Sequence, residues 1–255
     1  AKKINVNDLI FFKDKNGEIY NLFAQIINKN NGEVTFDFSD DHDKFIQILL
    51  NDARVMLPPY ITSKRDIKAS DNNDYQTIFS KKDGSIAAPT AGLHFTEDLI
   101  KKINKKGINF ERITLNINLG TFSPLRNENV KENNLHSEHC YISEQTVKKL
   151  NEVKADKKQR IISVGTTALR SLETSYNGNE FEPINSKTNK FIYPGIEINS
   201  IDALITNFHL PKSSLFILIC ALMGTQNMLN AYNYAIKNKY RFYSYGDACL
   251  LEKRV

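Results

Sequence analysis

Four of the five histidines lie in short segments that also contain glycine, proline or acidic residues. They are His94, His136, His139 and His209. Residues of these types at such close spacing could bind a ligand or transfer protons. Imidazole has an unperturbed pKa close to neutrality, so it serves as acid, base or hydrogen-bond donor at physiological pH. The clustering therefore indicates a site for ligand binding or proton transfer.

The first of these segments places His94 after Thr90-Ala-Gly92-Leu. Glycine permits close approach of the backbone to a ligand, and Thr90 adds a hydroxyl. A single histidine before a phenylalanine is also a common structural donor. Catalysis and a structural role both stay open from this spacing alone.

The second segment, His136-Ser-Glu138-His139, offers an alternative function. One helical turn would place both histidines on one face with Glu138 beside them. A zinc-dependent nucleobase deaminase or hydrolase built on His136 and His139 is the alternative. The deaminase signature needs a Cys-x-x-Cys and the metalloprotease motif is His-Glu-x-x-His, and this sequence contains neither. We therefore expect no metal.

Two predicted strand-turn-helix units carry the remaining polar residues. The strand Ile161–Val164 runs into Gly165-Thr166-Thr167, and Arg170 follows one helical turn later. Ligands gather at the carboxyl ends of parallel strands, where helix N-termini present free N-H groups. Thr166, Thr167 and Arg170 suit a carboxylate or a phosphate, while simple helix capping is the alternative.

The second unit runs from Ile201–Ile205 into a polar turn and then the apolar helix Ser214–Met223. The turn crowds together Asn207, His209, Lys212 and Ser213. Capping alone does not require so many polar groups, so this turn favours a functional site.

Composition limits the class of protein. The chain has 255 residues, 41% of them hydrophobic, and a net charge of +5, which suits a globular protein with an anionic partner. Its three cysteines form no Cys-x-x-Cys pair, which favours a reducing cytosol. The longest apolar run, Leu215–Met223, is about half of a bilayer crossing, so we expect no membrane association.

The order of predicted elements indicates a mixed α/β fold with two domains. Short strands separated by Asn-Gly turns are predicted from Ile4 to about Phe38, and we interpret residues 1–50 as part of a small β-barrel-like domain. Residues 51–255 are predicted to form the main α/β catalytic domain. Four further elements are predicted: a short helix at 45–50, helices after Thr96 and Ser143, and a strand at 113–119.

A cluster of aromatic and basic residues lies near the end of the chain. It contains Tyr232, Tyr234, Tyr240, Phe242, Tyr243 and Tyr245 with Lys237, Lys239 and Arg241. Such residues stack unpaired bases and contact phosphates, or they simply pack as amphipathic aromatics. A noncatalytic RNA-binding module is therefore a third hypothesis.

Longer motifs resemble those of a known family. They are Tyr75-Gln-Thr77, Ala87-Ala-Pro-Thr-Ala-Gly-Leu-His-Phe-Thr96, Leu119-Gly-Thr-Phe122, Leu135-His-Ser-Glu138, Val164-Gly-Thr-Thr167, Tyr193-Pro-Gly195 and Asp202-Ala-Leu-Ile-Thr-Asn-Phe-His-Leu-Pro-Lys-Ser213. In this order, from about Leu57 to Leu250, they closely resemble the S-adenosylmethionine:tRNA ribosyltransferase-isomerase (QueA) family.

The resemblance implies an enzyme of queuosine biosynthesis in the bacterial cytoplasm. Such an enzyme transfers and isomerises the ribosyl moiety of S-adenosylmethionine onto 7-aminomethyl-7-deazaguanine at the wobble position of tRNA. Epoxyqueuosine-tRNA, adenine and methionine are the products. S-adenosylmethionine is a consumed co-substrate, so no cofactor is implied. The other partner is the tRNA anticodon loop carrying the deazaguanine precursor, and a monomer is expected.

Roles for the site residues follow as expectations. We expect His94 and His209 at the reacting atoms, with His136 and Glu138 orienting them or sharing protons. Thr166, Thr167 and Arg170 are expected to hold the methionine carboxylate. The remaining substrate-binding candidates are Thr90, Gly92, Asn207, Lys212 and Ser213. Family members carry a further N-terminal segment, so we expect this sequence to open partway through the small barrel.

Overall fold

The computed structural model describes residues 4–13, 17–30, 33–38, 57–81, 85, 87–117, 127, 129–132 and 137–253. The chain divides into two compact units, Ala1–Val55 and Met56–Val255. The sequence placed the domain boundary after residue 50. The helix predicted at 45–50 lies outside the described residues.

The first unit contains an antiparallel three-stranded sheet. Its strands are β1 (Leu9–Lys13), β2 (Ile19–Asn30) and β3 (Glu33–Phe38), in that order across the sheet. Leu22, Ala24 and Ile26 alternate along β2 and are buried, the two-residue period of a half-buried strand. The predicted short strands of this region are confirmed, whereas closure into a barrel stays a prediction.

The described part of the second unit contains two further three-stranded sheets. The first consists of β4 (Thr114–Asn116), β5 (Glu138–Ile142) and β7 (Ile184–Thr188), all antiparallel. The second consists of β6 (Ile162–Val164), β8 (Ala203–Asn207) and β9 (Ala248–Glu252), with β8 in the middle. β6 runs parallel to β8, and β9 runs antiparallel to it. The fold is therefore mixed α/β, as the sequence predicts.

Helices of the second unit vary in length from one turn to more than three. They are α1 (Pro59–Thr62), α2 (Asp71–Asp74), α3 (Glu97–Asn104), α4 (Glu144–Ala155), α5 (Thr166–Ser175), α6 (Ser214–Met223) and α7 (Thr225–Lys237). Among the described residues, 3-10 helices are found at Thr90–His94 and Val130–Glu132. Thr96 and Ser143 cap α3 and α4 by accepting hydrogen bonds from Leu99 N and Thr146 N, as expected for N-cap residues.

The main core surrounds strand β8, which is covered on both faces. Ala203 and Leu204 are fully buried there, which is the usual state of a central strand between helices. Leu169 of α5 and Ile219 of α6 are also fully buried in the same cluster. The core thus fixes the two helices whose N-termini follow β6 and β8.

The apolar helix α6 raises the question of membrane insertion. Within the described residues, no single helix combines the length and apolar composition needed to span a bilayer. Helices α6 and α7 taken together are long and apolar enough to span a bilayer, but their axes are bent by 114° relative to each other. Leu218, Ile219 and Cys220 of α6 are buried in the protein core.

Candidate active site

The carboxyl ends of β6 and β8 lie side by side. Val164 pairs with Ile205 in the parallel register, and Gly165 N donates a 2.8 Å hydrogen bond to Ile205 O. The turns that follow therefore meet at one edge of the sheet, as the sequence predicted. Together with the Thr90–His94 helix they form a recess, here called the strand-end cleft. Its lining includes Tyr60, Thr90, Thr166, Thr167, Asn207, His209, Ser213, Tyr243 and Ser244.

Asn207 is the centre of a hydrogen-bond network in this cleft. It ends β8, and only 3% of its surface is exposed. Its Oδ1 accepts from Thr90 Oγ1 at 3.1 Å, and its Nδ2 lies 3.1 Å from His94 Nε2 and 3.5 Å from Ser244 O. Asn207 thus joins the 3-10 helix, β8 and the loop before β9. We expected Asn207 to bind substrate from the sequence, and this stays a prediction. In the structure its side-chain amide makes hydrogen bonds to neighbouring protein groups.

His94 is half-buried at the end of its 3-10 helix. Burial lowers its pKa below the ordinary value; the nearby Asp247 carboxylate opposes this effect and the Arg241 guanidinium adds to it. The neutral imidazole is therefore favoured at physiological pH. His94 does not line the strand-end cleft itself but a neighbouring recess, here called the charged depression, with Arg65, Lys68, Asp71, Asp74, Arg241 and Tyr245.

Gly92 serves packing. A Cβ atom built on it would lie 3.1 Å from a ring carbon of Phe79 and 3.2 Å from Thr77 Cγ2, which is closer than most such contacts. The sequence expected Gly92 to admit a ligand close to the backbone. In the structure the close neighbours of Gly92 are the side chains of Phe79 and Thr77. Because glycine has no side chain, the 3-10 helix can pack directly against them.

His209 is almost fully buried, with 9% of its surface exposed. Its Nε2 lies 3.0 Å from Thr206 Oγ1, and its backbone N donates a 2.8 Å hydrogen bond to Tyr232 Oη. Burial lowers its pKa to about 4, so the ring is neutral near pH 7. The sequence had no signal for the Tyr232 partner, because helix α7 contributes it from 23 residues further along the chain.

The titration of His209 should make the stability of the protein depend on pH. Between about pH 6.5 and 4 the unfolded chain protonates this histidine and the folded chain does not, so the free energy of unfolding falls as the pH falls. We expect the urea midpoint of the native protein to decrease across this interval. The decrease should be smaller in a His209→Gln variant.

The exposed His139 supplies the control for this measurement. A His139→Gln variant should keep the full decrease of the native protein, because this exposed substitution leaves His209 and its partners Thr206 and Tyr232 unchanged. Equal slopes in the His209→Gln variant and the native protein would contradict the assignment of this pH dependence to His209.

The N-terminus of α5 faces the strand-end cleft. Its N-cap is Gly165, which adopts φ 93 and ψ 146, a conformation available essentially only to glycine. Capping by a threonine side chain, the alternative interpretation, does not occur, because the N-cap makes no side-chain hydrogen bond. Thr166 and Thr167 are buried and line the cleft. The first N-H groups of a helix are free to bind an anion at such a position.

Arg170 lies one turn further along α5 and makes a buried ion pair. Its Nη1 donates to Glu138 Oε2 at 2.8 Å, and its Nε donates to Lys190 O at 3.0 Å. The two side chains are only 4% and 1% exposed. The sequence expected Arg170 to bind a carboxylate at the helix start. The carboxylate that it contacts is that of Glu138, which β5 brings to the same buried position.

Glu138 and His139 lie on opposite faces of β5, because side chains alternate along a strand. Glu138 is buried and His139 is exposed. The helical turn that the zinc alternative needed is therefore wrong at these two positions. His136 lies outside the described residues. Within the described residues, no group of three or more histidine, cysteine, aspartate or glutamate side chains is arranged to hold a metal.

Ser213 is the N-cap of α6, so its hydroxyl is already used. Its Oγ accepts from Phe216 N at 3.2 Å and donates to Leu210 O at 2.6 Å. Lys212, the residue before it, is exposed and adopts a positive φ of 59. The structure thus places Ser213 at a helix cap and Lys212 in an exposed turn, and substrate binding by these two residues stays a prediction.

Some aromatic residues near the end of the chain pack in the core, and others stay exposed. Phe208 packs against Tyr232 and Phe242, with ring centroids 5.3 and 5.0 Å apart. Tyr234 and Tyr240 are exposed. Sequence reasoning missed Tyr60, which follows two prolines. Its Oη accepts from Ser244 N at 2.7 Å, and its ring packs edge-on against Tyr243 at 5.0 Å.

A cleft at the ends of parallel strands, lined here by the buried His209 and a helix N-terminus, is the usual location of a ligand site in an α/β protein. A family model, described as queuosine biosynthesis protein, matches residues 1–251. The chain belongs to this family.

Relatives and one solved structure support this assignment. A Buchnera aphidicola protein and a Zymomonas mobilis protein, both named S-adenosylmethionine:tRNA ribosyltransferase-isomerase, are 44% and 43% identical to the chain. The matches cover 97% and 98% of this chain and 68% and 72% of those proteins. A crystal structure of S-adenosylmethionine tRNA ribosyltransferase from Thermotoga maritima is similar with a TM-score of 0.53 and 29% identity, over 98% of this chain and 67% of that chain.

Proposed function

We propose that this chain transfers and isomerises the ribosyl moiety of S-adenosylmethionine onto 7-aminomethyl-7-deazaguanine at the wobble position of tRNA. The bonds from the ribosyl unit to adenine and to the methionine sulfur break. A new bond to the aminomethyl nitrogen forms, and the sugar becomes the epoxycyclopentane of epoxyqueuosine. The observation that carries the proposal is the meeting of Thr166, Thr167, Asn207 and His209 at one cleft in a member of this family.

The reaction has three chemical requirements. A sulfonium acidifies the neighbouring C5′ hydrogens, so a proton acceptor is needed there. The attacking aminomethyl group must be neutral. The departing adenine takes the electron pair of its bond to the sugar, so a hydrogen-bond donor stabilises it. We assign the acceptor to His209, whose low pKa keeps it unprotonated, and the donor to His94.

The ends of the donor molecule fit different parts of the cleft. The methionine carboxylate would bind the N-H groups at the start of α5, beside the hydroxyls of Thr166 and Thr167. Glu138 and Arg170 would hold α5 against β5 through their ion pair and so position this N-terminus. Tyr60 and Tyr243 supply an aromatic wall on which a base can stack.

The tRNA would present its wobble base outside the helical stack, because an enzyme that modifies a base must reach it away from its neighbours. Lys68 of the charged depression next to the cleft would contact the phosphodiester backbone, together with Arg65 and Arg241, which also pair with Asp71 and Asp247. This position agrees with the charge of +5 and with an anionic partner.

A product assay tests the proposal. The protein is incubated with S-adenosylmethionine and tRNA carrying the deazaguanine precursor, and the digested nucleosides are analysed by mass spectrometry. We expect epoxyqueuosine together with equimolar adenine and methionine, and none of these products with tRNA that lacks the precursor. Binding of tRNA without adenine release would indicate the noncatalytic module instead. Stoichiometric zinc lost with His139→Gln would indicate the hydrolase.

A further inference from the structure

The orientation of the Asn207 amide follows from its acceptor neighbour. The Ser244 carbonyl oxygen only accepts hydrogen bonds, so the amide atom that faces it must be Nδ2. The opposite orientation would place Oδ1 against this carbonyl. It follows that Oδ1 accepts from the Thr90 hydroxyl, and that the second N-H of Nδ2 points to His94 Nε2.

This orientation determines the protonation of His94. Because Asn207 Nδ2 only donates, His94 Nε2 must carry a lone pair, and the proton of the neutral ring lies on Nδ1. Nδ1 makes no hydrogen bond to any of the described residues. The lowered pKa of His94 agrees with a neutral ring.

We propose that Asn207 is a positioning residue that keeps His94 neutral with its proton on Nδ1, so that His94 acts on the substrate as a hydrogen-bond donor and not as a base. The inference rests on the proposed function and assigns the roles within that site. No bond to His94 forms or breaks. The Nδ1-H instead stabilises negative charge that develops on the departing adenine, as preorganised donors do in other active sites.

Two substitutions of Asn207 change the protonation of His94 in different ways. Leucine is similar in size and cannot hydrogen-bond, so it releases Nε2 from its donor. Aspartate is similar in shape, and its carboxylate only accepts. An Asn207→Asp variant therefore requires a proton on Nε2, and the new negative charge raises the pKa of His94.

NMR of the imidazole nitrogens measures this protonation directly and needs no substrate. We expect the native protein to show His94 with a protonated Nδ1 and an unprotonated Nε2 above its pKa. In the Asn207→Asp variant the unprotonated nitrogen should become Nδ1. A native spectrum with the proton on Nε2 would overturn the proposal, whatever the outcome of the product assay.

The pH profile of turnover distinguishes a donor from a base. In the Asn207→Asp variant, His94 below its raised pKa is a cation that carries a proton on both ring nitrogens. Above this pKa it loses the proton on Nδ1. Turnover at saturating substrate should therefore fall as the pH rises through this pKa, a step that the native profile lacks. If His94 acts as a base, turnover of the same variant will rise across the interval, and the proposal is wrong.

Other charged groups near His94 must stay the same in this comparison. They are Asp247 and Arg241, with Arg65, Lys68, Asp71 and Asp74 in the charged depression. None of these is altered by substitution of Asn207. A matched control is Asn230→Asp, which makes the same amide-to-carboxylate change on the exposed side of α7 and should keep the native pH profile.

The Asn207→Leu variant separates positioning from a structural role. We expect kcat to fall by about 100-fold with KM changed by less than about threefold, because the donor is lost in the transition state. Thermal unfolding identifies any general loss of folded protein. The proposal would be overturned if the Asn207→Leu variant is folded and keeps the His94 proton on Nδ1 but still loses about 100-fold in kcat.

Discussion

An Arg170→Met variant is expected to unfold with a free energy lower by about 3–5 kcal/mol, because it removes the guanidinium that donates to the buried Glu138 carboxylate. Burial lowers the pKa of Arg170, and the negative charge of Glu138 opposes this decrease without cancelling it. The charge of Arg170 is thus stabilised in the core by the Glu138 carboxylate. Urea denaturation at neutral pH measures the difference from the native protein.

An exposed ion pair provides the matched control. Arg160 Nη1 lies 2.8 Å from Glu252 Oε1, the same distance as in the buried pair, but these side chains are 58% and 56% exposed. An Arg160→Met variant should leave the urea midpoint nearly unchanged, because water and salt screen exposed charges. Equal destabilisation by the two substitutions would show that burial is not the cause.

A double substitution tests the mechanism further. When both Arg170 and Glu138 are replaced with methionine, both charges of this buried pair are removed. The double variant is expected to be more stable than the Arg170→Met variant, since apolar replacement of a buried pair is often tolerated. The coupling between the two sites is read from the double-mutant cycle. Additive losses would contradict the ion-pair explanation.

A His94→Gln variant is expected to lower turnover by about 100-fold or more, the size of effect that loss of a positioned proton donor or acceptor produces. Glutamine can still accept the hydrogen bond from Asn207 Nδ2, so the network around Thr90 and Ser244 can persist. It cannot present an N-H at the position of Nδ1. Adenine release at saturating substrate measures the change.

His139→Gln is the control for this experiment, because it removes an exposed histidine from β5. Its turnover should stay within about twofold of the native protein, as expected for a surface substitution distant from special features. Near-normal turnover of a folded His94→Gln variant would remove His94 from the reaction. Loss of turnover in the His139→Gln variant would instead support the zinc hypothesis.

Local sequence was sufficient for much of the secondary structure. The two-residue alternation around Leu22 predicts a strand, and hydroxyl residues at 96 and 143 predict the helix starts that they cap. These features depend on neighbours in the chain. The strand predicted at 113–119 is described only at Thr114–Asn116, and residues 118–120 lie outside the described part.

The meeting of the two strand ends was also predictable, because parallel strands that precede helices place their carboxyl ends at one edge of a sheet. The partners of the polar residues there were not. Glu138 reaches Arg170 across 32 residues, Thr90 reaches Asn207 across 117, and Tyr60 reaches Ser244 across 184. No spacing rule connects residues so far apart.

The types and order of the residues determined the elements, the family and the set of polar groups near the cleft. Tertiary packing alone decided which of these groups are charged, neutral or already paired. The reason is that desolvation and hydrogen bonding depend on neighbours in space: burial makes His209 neutral, and β5 supplies the carboxylate that pairs with Arg170.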